Sequence, residues 1–167
     1  MKKEVISEIS IFYGNLNLPK GLNINFSEFK EEIFQKKFFK KKLNNSKNFN
    51  IINNYVTDYA YAKFNTKLVY KKDSVFSFKP EEITKPILDV DPVDLKNSSD
   101  FTMLYAVNVK DCLVRIYYDD NRRKGRSWDI GLKNNRFIMF PSNNMYIISN
   151  NQKESINLIT KIQYEYI

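Results

Sequence analysis

The stretch Asn135-Arg136-Phe137-Ile138-Met139-Phe140-Pro141-Ser142 sets four apolar residues in a row between a polar start and a Pro-Ser stop. An apolar run this short, closed by turn residues, fits a strand buried within a β structure. Working outward, similar segments lie on both sides. Strands are predicted at 145–148 and 156–164 downstream, and at 113–118, 101–107, 75–78 and 67–70 upstream, separated by Asn, Asp, Gly and Pro clusters. Residues 55–65, rich in Tyr, Val and Thr, also read as strand.

The start of the chain differs. Residues 5–13 alternate over a short range and stop at Gly14, as an edge strand would. Next, Phe29, Ile33, Phe34, Phe38 and Leu43 recur at spacings of three to five, behind Ser27 and the acids Glu28, Glu31 and Glu32. This pattern predicts a helix over 27–43, with its acidic start and lysine-rich end matched to the helix dipole. The segment 44–50 reads as a polar connection. Many short strands after one helix predict a mainly β fold, a sandwich or jelly roll with an N-terminal helix packed outside. At 167 residues the chain fits one domain, 1–167, with a strand and helix in 1–60 and a β core in 61–167.

Composition narrows the partners. The 27 Lys and Arg outnumber the 19 Asp and Glu, so a net charge of +8 favours anionic partners, whether nucleic acid or an acidic protein face. No apolar run approaches the ~20 residues of a membrane-spanning helix, and Met1-Lys2-Lys3-Glu4 leads into no signal-type stretch. A soluble protein without membrane contact is expected. The single Cys112 cannot form an internal disulfide and reads as a small core residue in a reducing compartment. No phosphate-binding loop, dinucleotide glycine pattern or paired-cysteine zinc spacing occurs.

Ala62-Lys63-Phe64-Asn65, Thr102-Met103-Leu104-Tyr105-Ala106-Val107-Asn108, Asp111-Cys112-Leu113 and the 135–142 segment follow one another in an order and spacing that resemble the phage-associated, prolyl-4-hydroxylase-like branch of the 2-oxoglutarate/Fe(II) dioxygenases. The resemblance spans residues 61–164. It implies a double-stranded β-helix, the jelly-roll form of the predicted fold. It also implies an iron site of His-x-Asp plus a distal His, and an Arg that pairs with the co-substrate's far carboxylate. On this chain the His-x-Asp falls on Asp89-Val90-Asp91, the distal His on Tyr146 and the Arg on Asn157.

The chain has no histidine at all, so no shift of the correspondence restores that set. An Asp89, Asp91 and Tyr146 trio would be a hard oxygen site, better suited to Mg²⁺ or Ca²⁺ than to Fe(II). Two plainer readings stand beside it. The 89–94 segment, with Pro92, reads as a polar loop, and Tyr146 as an aromatic ring filling the volume of the lost site. The expectation is a pseudoenzyme that binds no cofactor and no metal.

The phage character of the resemblance points to a structural or interaction role in a bacteriophage virion, as capsid decoration, head–tail connector or tail accessory, assembled in the host cytoplasm. Expected partners are other virion or assembly proteins, or a second copy in a homo-oligomer. Phe12, Tyr13, Phe38, Phe39 and Trp128 are candidate interface anchors if exposed, and the first strand is a candidate for pairing with a neighbour's sheet. Two alternatives remain: an oxygenase-like enzyme with unusual metal ligands, and a nucleic-acid-binding module. The latter would use Arg122, Arg123, Lys124 and Arg126, a basic hairpin loop beside Tyr117, Tyr118 and Trp128; the plain reading of that loop is a solvated tip.

Overall fold

Two helices precede the main β structure, where the sequence predicted one. In the computed structural model, which describes residues 10–43, 45–118 and 125–167, α1 spans Phe26–Phe39 and α2 spans Lys47–Phe64. The Asn25 side chain caps α1 by accepting from the Glu28 N–H at 3.2 Å, and Lys40 ends it in the left-handed region at φ 56°. Only Phe29 and Ile33 of α1 are buried, while Phe34, Phe38 and Phe39 are exposed.

The second helix corrects the strand expected at 55–65 and the polar connection expected at 44–50. Ser46 caps it, accepting from the Phe49 N–H at 3.0 Å, and Asn65 closes it with φ 50°. Its buried apolar residues Phe49, Ile52, Val56 and Ala60 follow one another at spacings of three and four, the period of a helix face. Tyr59 and Tyr61, which suggested β structure by composition, lie on the exposed side. The proposed break at 60/61 therefore falls inside a helix.

Among the described residues, eight strands follow or flank the helices: β1 (Phe12–Asn15), β2 (Leu68–Phe78), β3 (Phe101–Asn108), β4 (Cys112–Tyr118), β5 (Arg126–Leu132), β6 (Arg136–Pro141), β7 (Tyr146–Asn150) and β8 (Asn157–Tyr166). The pieces predicted at 67–70 and 75–78 are one strand, irregular between Tyr70 and Lys72. Five strands form one antiparallel sheet in the order β1-β6-β3-β8-β2, and three form a second, β5-β4-β7. Residues 82–87 extend the second sheet: Ile83 pairs with Ser149 and Ile87 with Tyr146 along the free side of β7. This is the expected jelly roll.

The larger sheet has a core on each face. Met103, Tyr105, Met139, Ile162 and Tyr164 pack against Phe29, Ile33, Phe49 and Ile52 of the helices. Leu104, Ala106, Ile138, Phe140 and Ile159 face the second sheet, meeting Val114, Ile116, Ile130, Tyr146 and Ile148. Successive strand residues point to opposite faces, so the unbroken apolar runs of β3 and β6 supply both cores at once. Cys112 belongs to the inner core, where burial and then the charge of Asp111 push its thiol up to about 12.

Candidate functional site

Asp89 sits just past the last residue held against β7. The Ile87 and Tyr146 backbones exchange hydrogen bonds of 2.8 and 2.9 Å, which fixes the chain two residues before Asp89 and the strand that carries Tyr146. Its carboxylate is buried between the sheets and fully engaged. Oδ1 forms an ion pair with the Lys161 ammonium, and Oδ2 accepts from the Tyr146 hydroxyl at 3.0 Å and from Thr102 Oγ1 at 2.9 Å. Thr102 is also 2.9 Å from Ser142 Oγ. Of the ion pair, the Asp89 side chain is 6% exposed and that of Lys161 13%.

Burial, reinforced by the Asp89 charge, holds the Tyr146 phenol far above its ordinary value, so this hydroxyl is a fixed proton donor. Its ring meets Phe140 edge-on at 5.0 Å, and the Lys161 ammonium lies 5.1 Å from the centre of the Phe76 ring. One carboxylate, one ammonium and three hydroxyls thus form a closed network. Each formal charge has an opposite within contact, the condition under which buried charge is tolerated.

The residues expected to share one site separate into three places. Asp89 and Tyr146 are brought together. Asp91 is exposed and turned to its own loop: its carboxylate accepts from the Val93 N–H at 2.9 Å, and its N–H donates to Ser98 Oγ. Asp94 likewise accepts from Asn97, so this segment is the polar loop of the plainer reading. Asn157 is buried at the start of β8, opposite Phe78, with neither polar side-chain atom hydrogen-bonded within the protein. It precedes Lys161 by four residues on the same face, about 13 Å along the strand.

Lys161 is the member that sequence reasoning missed, together with the roles of Thr102 and Ser142. The signal was present as a lone cation inside Leu158-Ile159-Thr160-Lys161-Ile162. A lysine there, flanked by apolar residues on a central strand, must find an anion or leave the core.

An iron(II) ion and 2-oxoglutarate do not fit these residues. The Asp89 oxygens are taken, the Tyr146 proton is committed to Asp89, and Lys161 places a positive charge where a cation would bind. Among the described residues no group of three or more Cys, Asp or Glu is arranged to hold a metal ion. Asn157 offers no charge to a carboxylate.

Of the basic loop, Arg122, Arg123 and Lys124 lie outside the described residues. Arg126 begins β5, in register with Tyr118. Nearby, Arg115 grips Asp129 through two hydrogen bonds of 2.7 and 2.8 Å, which hold the Asp129 carboxyl below its ordinary value. Trp128 and Tyr13 are each 51% exposed.

No protein family matches this chain, and no curated protein matches it in sequence. Solved structures do resemble it in shape. A prolyl-4-hydroxylase from Pseudomonas putida superposes with a TM-score of 0.63 over 93% of this chain and 85% of its own, at 10% identity. SnoK, a non-heme alpha-ketoglutarate-dependent carbocyclase from nogalamycin biosynthesis, gives 0.65 over 94% and 79%, also at 10% identity. A 2OG-Fe(II) oxygenase family oxidoreductase from Burkholderia pseudomallei gives 0.54 at 10% identity over 74% of this chain, which spans 59% of that protein's length. The chain therefore has the jelly-roll fold found in 2-oxoglutarate and iron(II) oxygenases.

Proposed function

We propose that this chain is a non-catalytic, oxygenase-like jelly roll that acts through its surface as a structural or interaction component. The observation that carries this reading is the Asp89 carboxylate, neutralised by Lys161 and capped by Tyr146 and Thr102. A ligand group for a catalytic cation must present lone pairs to open space. Here the corresponding groups satisfy one another, and the network ties the 82–89 segment to β3, β7 and β8 instead. It occupies the interior with a structural pin.

The test is calorimetric titration of the purified protein with Mn(II) and 2-oxoglutarate, together and separately. No saturable heat is expected. Saturable binding of 2-oxoglutarate that depends on the metal would overturn the reading and establish an enzyme with unusual ligands. The setting we propose is a bacteriophage particle, on the strength of the resemblance of residues 61–164. Mass spectrometry of purified particles of the encoding phage is expected to find the chain at a fixed ratio to the major capsid protein. Its absence from them would remove that setting.

A further inference from the structure

Among the described residues, the first strand leaves one edge unpaired, with an aromatic-lined cavity on either face. β1 pairs only with β6, and among the described residues no strand lies along its other side. Beyond the strand, the Leu16 N–H donates to the Asn135 carbonyl at 3.2 Å. Continuing the alternation of an antiparallel ladder from that bond, the backbone N–H and C=O of Tyr13 point away from β6, toward solvent.

Phe12 is in register with Met139 and faces the helices; Tyr13 is in register with Ile138 and faces the inner core. On the helix face lies a cavity of about 500 Å³ lined by Phe12, Tyr55, Tyr59, Phe64 and Met139. The Phe12 and Phe64 rings stand 4.7 Å apart in it, and Tyr55 stacks on Tyr59 at 6.0 Å. On the other face, at the mouth between the sheets, Ile11, Tyr13, Tyr118 and Trp128 line a second cavity of about 260 Å³.

We propose that β1 is a docking edge for an extended, acidic-flanked segment of a partner protein, which adds a strand beside β1. A strand laid there exchanges hydrogen bonds with Tyr13. Its successive side chains point alternately into the helix-side cavity and the mouth cavity, because strand side chains alternate between faces. Because both cavities are lined by aromatic rings, they select apolar residues at successive positions, one for each face. Charge selects the rest: a net +8 favours acidic flanks and disfavours a second copy of this equally basic chain. The proposal rests on the surface-acting role above, and it fails or stands independently of the metal titration.

Trp128 is the only tryptophan, so its emission reports on the mouth cavity. The probe is a short synthetic peptide alternating Phe with Val, so that both faces are apolar, with paired Glu at each end. A saturable change in Trp128 emission is expected. Methylating the peptide nitrogens that face β1 should weaken binding about tenfold. So should Tyr13→Pro, which removes the outward N–H at a position where an edge strand tolerates proline. Replacing the Glu flanks with Lys should weaken it further. No saturable change, or equal binding of the methylated peptide, would overturn the proposal even if the Tyr13→Pro variant failed to fold. A homodimer in sedimentation that Tyr13→Pro dissolves would also overturn it, giving the edge to a second copy.

Discussion

Lys161→Met is expected to destabilise the fold by about 3–5 kcal/mol, the usual cost of removing one partner of a buried ion pair. Asp89 cannot follow solvent when its partner is lost, because the Ile87–Tyr146 pairing holds the segment before it and Tyr146 and Thr102 hold the carboxylate. A charge left there loses hydration without regaining a counter-ion. For a chain of this length the loss corresponds to roughly 6–20 °C in Tm. The Lys161→Met/Asp89→Asn double variant should recover most of it, since a neutral amide still accepts from both hydroxyls while needing no cation. Differential scanning calorimetry of both variants checks this. A single variant within about 1 kcal/mol of the parent would show that Asp89 is relieved by some other route, and the pin would be no pin.

Asn135→Ala should cost about 2–4 kcal/mol. Asn135 ends the turn before β6 at φ 65°, a conformation that asparagine tolerates and alanine resists. Its side chain also joins three elements. Oδ1 accepts from the Tyr105 hydroxyl at 3.0 Å, and Nδ2 donates to the Leu16 carbonyl at 3.3 Å, close to where β1 ends. Tyr105 is completely buried and burial pushes its phenol well up, so without Asn135 its hydroxyl is an unpaired donor in the core. Asn135→Gly keeps the backbone conformation but not the amide, so it should lose less than alanine. Urea unfolding of the two variants separates the backbone and side-chain parts. Equal stability of the alanine variant and the parent would remove Asn135 as the anchor of β1.

Asn135 illustrates how much the sequence revealed. The 135–142 segment carried the β reading, and each of its polar ends has a task in the structure: Asn135 at the turn, Ser142 against Thr102. The runs at 101–107, 113–118 and 136–140 were recognisable because buried strands need continuous apolar residues and sharp stops. α2 was misread although its face was written in Phe49, Ile52, Val56 and Ala60. Tyr, Val and Thr pulled the composition toward strand, and propensity yields to burial when a helix face can cover a sheet. β5 escaped notice because its outer half is exposed and polar, leaving only Ile130 and Leu132 as buried anchors.

The candidate site was half legible. The resemblance placed Asp89 and Tyr146 in one remnant site, and in the structure the Tyr146 hydroxyl donates to Asp89 Oδ2 at 3.0 Å. The resemblance drew in Asp91 as the Asp of the His-x-Asp pattern, but its carboxylate closes a local turn by accepting from the Val93 N–H.

By itself the sequence determined the alternation of apolar runs and stops, hence a mainly β chain with helical cover, and the absence of any histidine from its interior. Only the tertiary structure decided what stands in the interior instead. Lys161 and Asp89 are 72 residues apart, and no local pattern couples such positions. They meet because Ile87 pairs with Tyr146 and β3 with β8, and because two opposite charges sealed between sheets are stable only in each other's company.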